Sequence, residues 1–492
     1  MTGGRRLTSA RSSRGNERGG PQMLGLAYAT IQVLGLLAAG KAVMEARTAQ
    51  GATAWALALV AFPLLALPLF LVFGQSRFRD YVTARRADLA VSRPAQQRTQ
   101  AALRRHNLLT GTRYTQDVPF ERLAKLPFTD GNDATLLIDG AATFASIFAG
   151  IAAAREYVLV QFYILRDDGV GRELRERLLE RTAAGVRVHL LYDEVGSYRL
   201  PRAYLDGLRR AGVAVQAFHA VSRGASRLHL NFRNHRKVVV VDGRRAWTGG
   251  LNVGDEYLGL DPRVGPWRDT HLCVEGPVVQ CVQASFVEDW HWAAGEPLRL
   301  LWRPARAAAG RYPVLCLPSG PADELETCTL FFIAAINRAR SRLWIASPYF
   351  VPDEQFVTAL QLAGLRGVDV RVLLSERSDN PLVNLSGWSY VEALEQAGVA
   401  MYRYQGGFMH QKVTLIDDDW CTVGTANFDN RSFRLNFEIT MAVLDRGLAA
   451  DVRKMLEDDF ERSQRICAAD LQARSPAFRF AVRLARLSAP VQ

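Results

Sequence analysis

No two of the six cysteines, Cys273, Cys281, Cys316, Cys328, Cys421 and Cys467, stand in a Cys-x2-Cys pair. This spacing argues against a zinc ribbon, and scattered single cysteines do not make a disulfide framework. They read as small apolar residues of a cytosol-facing domain. The chain also lacks an obvious platform of interleaved aromatic and basic residues on which nucleic-acid bases would stack. Its charge is nonetheless lopsided: a formal net charge of +12 over 492 residues implies an anionic partner, without deciding between lipid and nucleic acid. The length exceeds what one core usually holds, so two or more globular units are expected.

Charge is also missing from two stretches near the N-terminus. Met23 to Gly40 is an uncharged apolar run of about 27 Å if helical, the thickness of a bilayer core. Ala52 to Phe73 is a second run, interrupted by Pro63 and Pro68. Arginines precede the first run (Arg5, Arg6, Arg11, Arg14 and Arg18) and crowd the stretch from Arg77 to Arg105, whereas the short connection carries only Lys41 and Arg47 against Glu45. By the positive-inside rule both ends of such a hairpin face the cytoplasm. A cleaved signal peptide would leave the second run unexplained, and no small-residue cleavage site follows the first.

The chemistry is carried by a spaced constellation that occurs twice. His235-Arg236-Lys237, four residues, Asp242, six residues, Gly249-Gly250-Leu251-Asn252 is matched by His410-Gln411-Lys412, four residues, Asp417, six residues, Gly424-Thr425-Ala426-Asn427. The Val238 to Val241 run predicts a buried strand, and side chains two apart on a strand point the same way. His235 and Lys237 therefore share a side. An ammonium beside an imidazole disfavours a metal cation and favours an anion. Asn252 and Asn427, after glycine-containing turns, suit a phosphate oxygen.

An internal repeat extends the duplication. Ala154-Arg155 before Val158-Leu159-Val160 echoes Ala339-Arg340 before Leu343-Trp344-Ile345. Gly185-Val186-Arg187-Val188 echoes Gly367-Val368-Asp369-Val370, and Ala211-Gly212-Val213 echoes Ala397-Gly398-Val399. Each half reads as strand, helix, strand, helix and then the motif strand, an α/β layer pattern.

The duplicated His-x-Lys-x4-Asp-x6-Gly-[Gly/Ser/Thr]-x-Asn pattern resembles the signature of the phospholipase D superfamily. The likeness extends to bacterial cardiolipin synthases through Asn234-His235-Arg236-Lys237, Trp267-Arg268-Asp269-Thr270, Leu317-Pro318-Ser319-Gly320-Pro321 and Ser347-Pro348-Tyr349-Phe350-Val351-Pro352. Asn427-Phe428-Asp429-Asn430-Arg431-Ser432 and Leu435-Asn436-Phe437-Glu438 continue it, so it spans roughly Gly131 to Arg465 and includes the apolar hairpin. The expected fold is α/β, two pseudo-symmetric phospholipase D-like halves preceded by a two-helix transmembrane hairpin. The expected organisation is a disordered basic N-terminus over 1–22, transmembrane helices over 23–40 and 52–73, and a basic juxtamembrane connector over 74–130. A first half over 131–310 (motif 230–257), a second over 311–470 (motif 405–432) and a basic tail over 471–492 follow. The connector either lies against anionic headgroups or is a solvated linker. In the tail, Phe480, Leu484 and Leu487 recur at helical spacing beside Arg479, Arg483 and Arg486, as in an interfacial helix or one packed on the domain.

The resemblance implies phosphatidyl transfer between two phosphatidylglycerols, giving cardiolipin and glycerol through a phosphohistidine, at a bacterial inner membrane. The catalytic set is His235, Lys237, Asp242, His410, Lys412 and Asp417, in which the two aspartates, at strand ends, brace the motif loops rather than transfer protons. Family pattern favours His235 as nucleophile and His410 as acid, with Glu438 orienting His410 and Asp269 orienting His235. Lys237, Lys412, Asn252 and Asn427 hold the phosphate oxygens, Gly249, Gly250, Gly424 and Thr425 shape the turns, and no metal or cofactor is called for. Anionic phospholipids and the membrane are the expected partners; the hairpin and the missing stacking platform argue against nucleic acid. Lipid hydrolysis, which differs only in water access, and phosphatidylethanolamine as donor stay open, as do acyl preference and oligomeric state.

Overall fold

The computed structural model describes residues 19–45, 49–73, 97–110, 117–218 and 232–489. The arginine-rich start of the chain up to residue 18 and the 74–96 stretch of the expected connector lie outside these residues. The chain divides into an N-terminal unit, which holds the apolar runs, and a larger unit that holds both motifs.

In the N-terminal unit the first apolar run is a helix, Gly19–Glu45, longer than the 23–40 expected. From Gly25 to Glu45 it is long and apolar enough to cross a membrane. The second run, expected as one helix over 52–73, is two: Ala49–Ala61, of 13 residues, and Pro63–Phe73, of 11. The break falls at Phe62 because Pro63 has no N–H to donate and its ring crowds the preceding turn, while its fixed φ suits a helix start. The helices pack through Ala39 and Ala42 of the first against Leu59, Ala66 and Phe70 of the others. Gly35 permits the approach, since a Cβ there would stand 2.5 Å from the Leu59 carbonyl oxygen. Gln32 closes the contact by donating to the Val60 carbonyl at 2.9 Å. Leu26, Leu37, Leu64 and Leu65 point outward and are exposed.

The larger unit is built from two halves with one strand order. Across the first half the strands run Ala214–Phe218, Arg187–Asp193, Tyr157–Phe162, Val238–Val241, Arg245–Gly249, Thr270–Glu275 and Thr129–Ile138. Across the second they run Ala400–Tyr404, Asp369–Ser375, Arg342–Ala346, Val413–Ile416, Trp420–Gly424, Asn436–Leu444 and Tyr312–Ser319, position for position the same. In each half the three outer strands are parallel and joined by helical crossovers, and the motif strand adds antiparallel. Parallel strands buried on both faces need continuous apolar runs, which Val158-Leu159-Val160 and Leu343-Trp344-Ile345 supply. Thr129–Ile138 pairs antiparallel with Tyr312–Ser319 and fuses the halves into one sheet. Ser463–Ile466 adds an edge strand to the second half.

The folded unit reaches into the stretches taken as connector and tail. Within the stretch taken as connector, Val118–Ala124 is a packed helix whose Phe120 ring meets Phe331 at 5.2 Å and Trp420 at 4.8 Å, and the first strand begins at Thr129. Within the stretch taken as tail, Pro476–Arg486 is a helix packed on the helix Pro381–Trp388. In both places buried aromatic and small apolar side chains outweigh the basic composition.

Candidate active site

Each motif histidine is delivered to a strand of the opposite half. Arg233–Asn234 pairs in parallel with Asn436 and Phe437, and the His235 N–H donates to the Phe437 carbonyl at 2.9 Å. Phe408–Met409 pairs with Trp267–Arg268, and the His410 N–H donates to the Arg268 carbonyl at 2.8 Å. The next residue on each receiving strand is a carboxylate. His235 Nδ1 therefore meets Glu438 at 3.0 and 3.1 Å, and His410 Nδ1 meets Asp269 Oδ2 at 3.0 Å. This corrects the expected partners, which paired Glu438 with His410 and Asp269 with His235. The exchange follows from the inter-half pairings: proximity in sequence places each carboxylate in one half, but the sheet register sets it under the other half's histidine.

In both pairs the carboxylate fixes the proton on Nδ1 and leaves Nε2 with its lone pair. The imidazoles, the lysines and both carboxylates are buried. Burial holds His235 well below the usual imidazole range, at about 4, although the Glu438 charge opposes it. Burial and Lys412 also lower His410. Burial lowers Lys237 to about 7 and Lys412 to about 8, against the pull of Glu438 and Asp269. Burial alone would raise both carboxylates; for Asp269 the His410 contact and Lys412 outweigh it and bring it down to about 2, and for Glu438 His235 and Lys237 outweigh it and hold the carboxyl below its ordinary value. Each lysine bends back on its own loop: Lys237 Nζ donates to the His235 carbonyl at 2.7 Å, and Lys412 Nζ to that of His410. Lysine is otherwise confined to Lys41, Lys125 and Lys454. The two in the site are compact ammonium donors whose charge, unlike that of arginine, burial can tune.

The remaining motif residues divide. Asp242 and Asp417, counted with the catalytic set by the pattern, stand beyond the far ends of the motif strands and away from the histidines. Asp242 accepts backbone N–H bonds from Arg155, Glu156 and Tyr157 at 2.8 to 2.9 Å. Asp417 accepts those of Arg340, Ser341 and Arg342. Both tie the motif strand to the neighbouring strand's start. The Asn252 amide is engaged: its Oδ1 accepts from the Ile164 N–H at 3.1 Å and its Nδ2 donates to the Tyr257 hydroxyl at 3.0 Å. Asn427 Oδ1 is buried with no partner among the described residues, so it has an acceptor to spare. Gly249 and Gly424 pack against the adjacent strands, close to His271 and Thr440. At Gly250 a Cβ would fall 1.9 Å from Asp269 Oδ1, so only glycine lets this carboxylate lie where it does. The equivalent Thr425 instead donates its hydroxyl to Glu438 Oε2 at 2.5 Å.

Pattern reading missed the supports beneath the carboxylates. Arg236 donates Nε to the Glu438 carbonyl at 3.0 Å and Nη1 to Asp289 at 2.8 Å. Arg268 donates Nη1 to the Asp269 carbonyl and is held by both oxygens of Asp459 at 2.8 Å; Gln411 shares Asp459 at 2.7 Å. Asp289 and Asp459 lie on the closing helices of the two halves, Val279–Ala294 and Arg446–Glu461, and are buried; no sequence pattern singled them out. Aromatic rings line the site: Tyr163 is 5.1 Å from the His235 ring, and Trp267 5.2 Å from that of His410. Trp267 and Phe408 also wall a cavity of about 940 Å³ shared with Tyr257, Arg166, Arg377 and Asp379.

The arrangement presents two oriented imidazoles and two buried ammonium groups, the equipment for in-line exchange at a phosphodiester. A sequence profile of the family described as "Cardiolipin synthase, PLD-like domain" matches residues 147–290 and 332–461, one segment in each half. The chain is 47% identical over 487 residues to cardiolipin synthase A of Pseudomonas entomophila (strain L48), covering 96% of this chain and 99% of that protein. It is 47% identical over 479 residues to cardiolipin synthase A of Pseudomonas aeruginosa (strain LESB58), covering 95% and 96%. The crystal structure of phosphatidylserine synthase from Haemophilus influenzae Rd KW20 superposes with a TM-score of 0.61 at 14% identity, covering 77% of this chain and 100% of that one; this likeness concerns the fold.

Proposed function

The chain belongs to the phospholipase D-like cardiolipin synthase family, and we propose that it is a phosphatidyltransferase that joins two phosphatidylglycerols into cardiolipin and glycerol. The observation that carries this reading is the pair of carboxylate-held imidazoles, each within the electrostatic reach of two buried lysines. His235 Nε2 attacks the phosphorus of the donor as His410 gives a proton to the departing glycerol oxygen, leaving a phosphatidyl group on His235. A glycerol hydroxyl of the second phosphatidylglycerol, deprotonated by His410, then displaces His235 and completes cardiolipin. Burial disfavours a charged His410 in the empty site. The entering phosphodiester anion offsets that penalty, favours the acid form when it is needed, and raises the two lysines. Lys237 and Lys412, with Asn427, stabilise the non-bridging oxygens as charge shifts.

The same reading anchors the enzyme through its N-terminal helices. Gly19–Glu45 crosses the bilayer of a bacterial inner membrane, and Ala49–Ala61 with Pro63–Phe73 returns as a broken second span, so that both flanks face the cytoplasm. A reporter fused after Arg105 reads cytoplasmic and one near Ala46 external; opposite readings overturn the orientation.

Purified protein given headgroup-labelled phosphatidylglycerol should release glycerol and form cardiolipin in equal amounts. Phosphatidic acid as the main product makes the enzyme a hydrolase. Cardiolipin that forms only when phosphatidylethanolamine is present changes the donor but keeps the mechanism.

A further inference from the structure

The helix Pro476–Arg486 turns an apolar face inward and a second one outward. Val482 and Ala485 are buried and the Phe478 ring meets Trp388 at 6.2 Å, which docks one side on the helix Pro381–Trp388. Helical spacing gathers Phe480, Leu484 and Leu487 on the other side, where they are 68%, 56% and 77% exposed. A helix that merely packs on a domain directs polar residues to solvent; here the charge sits along the border instead. Arg479, Arg483 and Arg486 form one row between the two apolar faces, and from Leu471 to Ala489 there is no acidic residue. Leu382, on the supporting helix, is also exposed.

We propose that this helix docks in the interface of an anionic bilayer, with Phe480, Leu484 and Leu487 in the acyl boundary and the arginine row on lipid phosphates. An apolar stripe edged by guanidinium groups matches a surface that is apolar below and negative above. A second copy of the chain is a poorer occupant, because pairing two such stripes brings like-charged rows together. The helix is also tied to the site. Asn430, three residues beyond Asn427, donates its side-chain amide to the Val351 and Ala489 carbonyls, both at 3.0 Å, so docking the helix holds the loop after the second motif at the lipid surface. This inference rests on the lipid-transfer reading for its purpose, though not for its test.

The test uses the full-length chain, one copy per nanodisc, in a Cys467→Ser background that removes the partly exposed thiol; the other five cysteines are buried. With Leu484→Cys carrying an environment-sensitive fluorophore, nanodiscs containing phosphatidylglycerol should give blue-shifted emission, quenching by acyl-chain spin labels and at least twofold protection from iodide. Nanodiscs of phosphatidylcholine alone should give less of each. Full iodide access in both overturns the proposal, as does protection in lipid-free detergent that grows with protein concentration, which assigns the stripe to a second copy. Independently, the double variant Phe480→Asp, Leu484→Asp should lose about tenfold turnover on phosphatidylglycerol in bilayers and none on monodisperse short-chain phosphatidylglycerol; equal loss on both overturns docking. If unaltered protein makes no cardiolipin from either substrate, the functional reading fails, while the fluorescence result stands by itself.

Discussion

The two histidine centres share a strand order and differ in furnishing. Glu438 takes both its contacts to His235, the Thr425 hydroxyl and the Asn436 amide at 3.1 Å, all from side chains. Asp269 takes His410, the Thr270 N–H at 2.8 Å and the Trp267 indole at 3.3 Å, under a wall of Trp267 and Phe408 rings. One pair of equivalent positions makes much of the difference: Gly250 clears space for the shorter carboxylate, and Thr425 fills it with a donor to the longer one. Duplication sets where the groups stand, and such unpaired substitutions give the two imidazoles unlike surroundings.

The comparison breaks outright if the histidines are interchangeable. His235→Ala and His410→Ala should each lower turnover by about 10⁴-fold. A donor with a good leaving group should still label His235 in His410→Ala, as an acid-labile adduct found by mass spectrometry. Labelling of His410 in His235→Ala instead reverses the roles.

Removing the charge behind each imidazole comes next. Glu438→Gln and Asp269→Asn should cost about 10²- to 10³-fold in kcat with smaller changes in KM, because the tautomer is lost while the pocket remains. The good-leaving-group donor should restore Asp269→Asn far more than Glu438→Gln, if Asp269 serves the acid. Thr425→Val should then cost about tenfold, the worth of one hydrogen bond to a charged group. Gly250→Thr should not mimic the other half; it should displace Asp269 and lower activity.

The pH dependence tests groups of both centres together. His235 titrates at about 4 and must be neutral to attack, so kcat/KM should rise through that pH. His410, lowered in the empty site, must be protonated, and Lys237 at about 7 and Lys412 at about 8 must be charged, so kcat/KM should begin to fall below the usual imidazole range and fall more steeply as pH climbs past the lysines. The fall in kcat should come at higher pH, since bound phosphodiester raises both lysines. A flat profile from pH 6 to 9 removes the lysines from charge stabilisation.

The α/β halves, the motif strands and the paired His-x-Lys groups were legible because each rests on local pattern: apolar runs, turns and fixed spacing. Which carboxylate meets which histidine was not, since it depends on the register of Arg233–Asn234 against Asn436–Leu444 and of Phe408–Met409 against Trp267–Arg268, which no local pattern encodes. The supports Asp289 and Asp459 were hidden for the same reason. The split of the second apolar run was half legible: Pro63 was visible as an interruption, its consequence at Phe62 was not. In the C-terminal helix the Phe480, Leu484, Leu487 stripe was readable, but not that Val482 and Ala485 give it a second, buried side.

The crossing of carboxylates between halves also sets when the protein can first react. His235 leaves the ribosome 203 residues ahead of Glu438, about 10 to 40 s at ordinary elongation rates. Throughout that interval Glu438 is not there to hold its ring, and for most of it His410 is still unmade. A nascent or truncated chain that has folded only its first half therefore carries a complete motif and no oriented imidazole, and reactivity toward lipid begins only when Asn436–Leu444 closes the second half over the first.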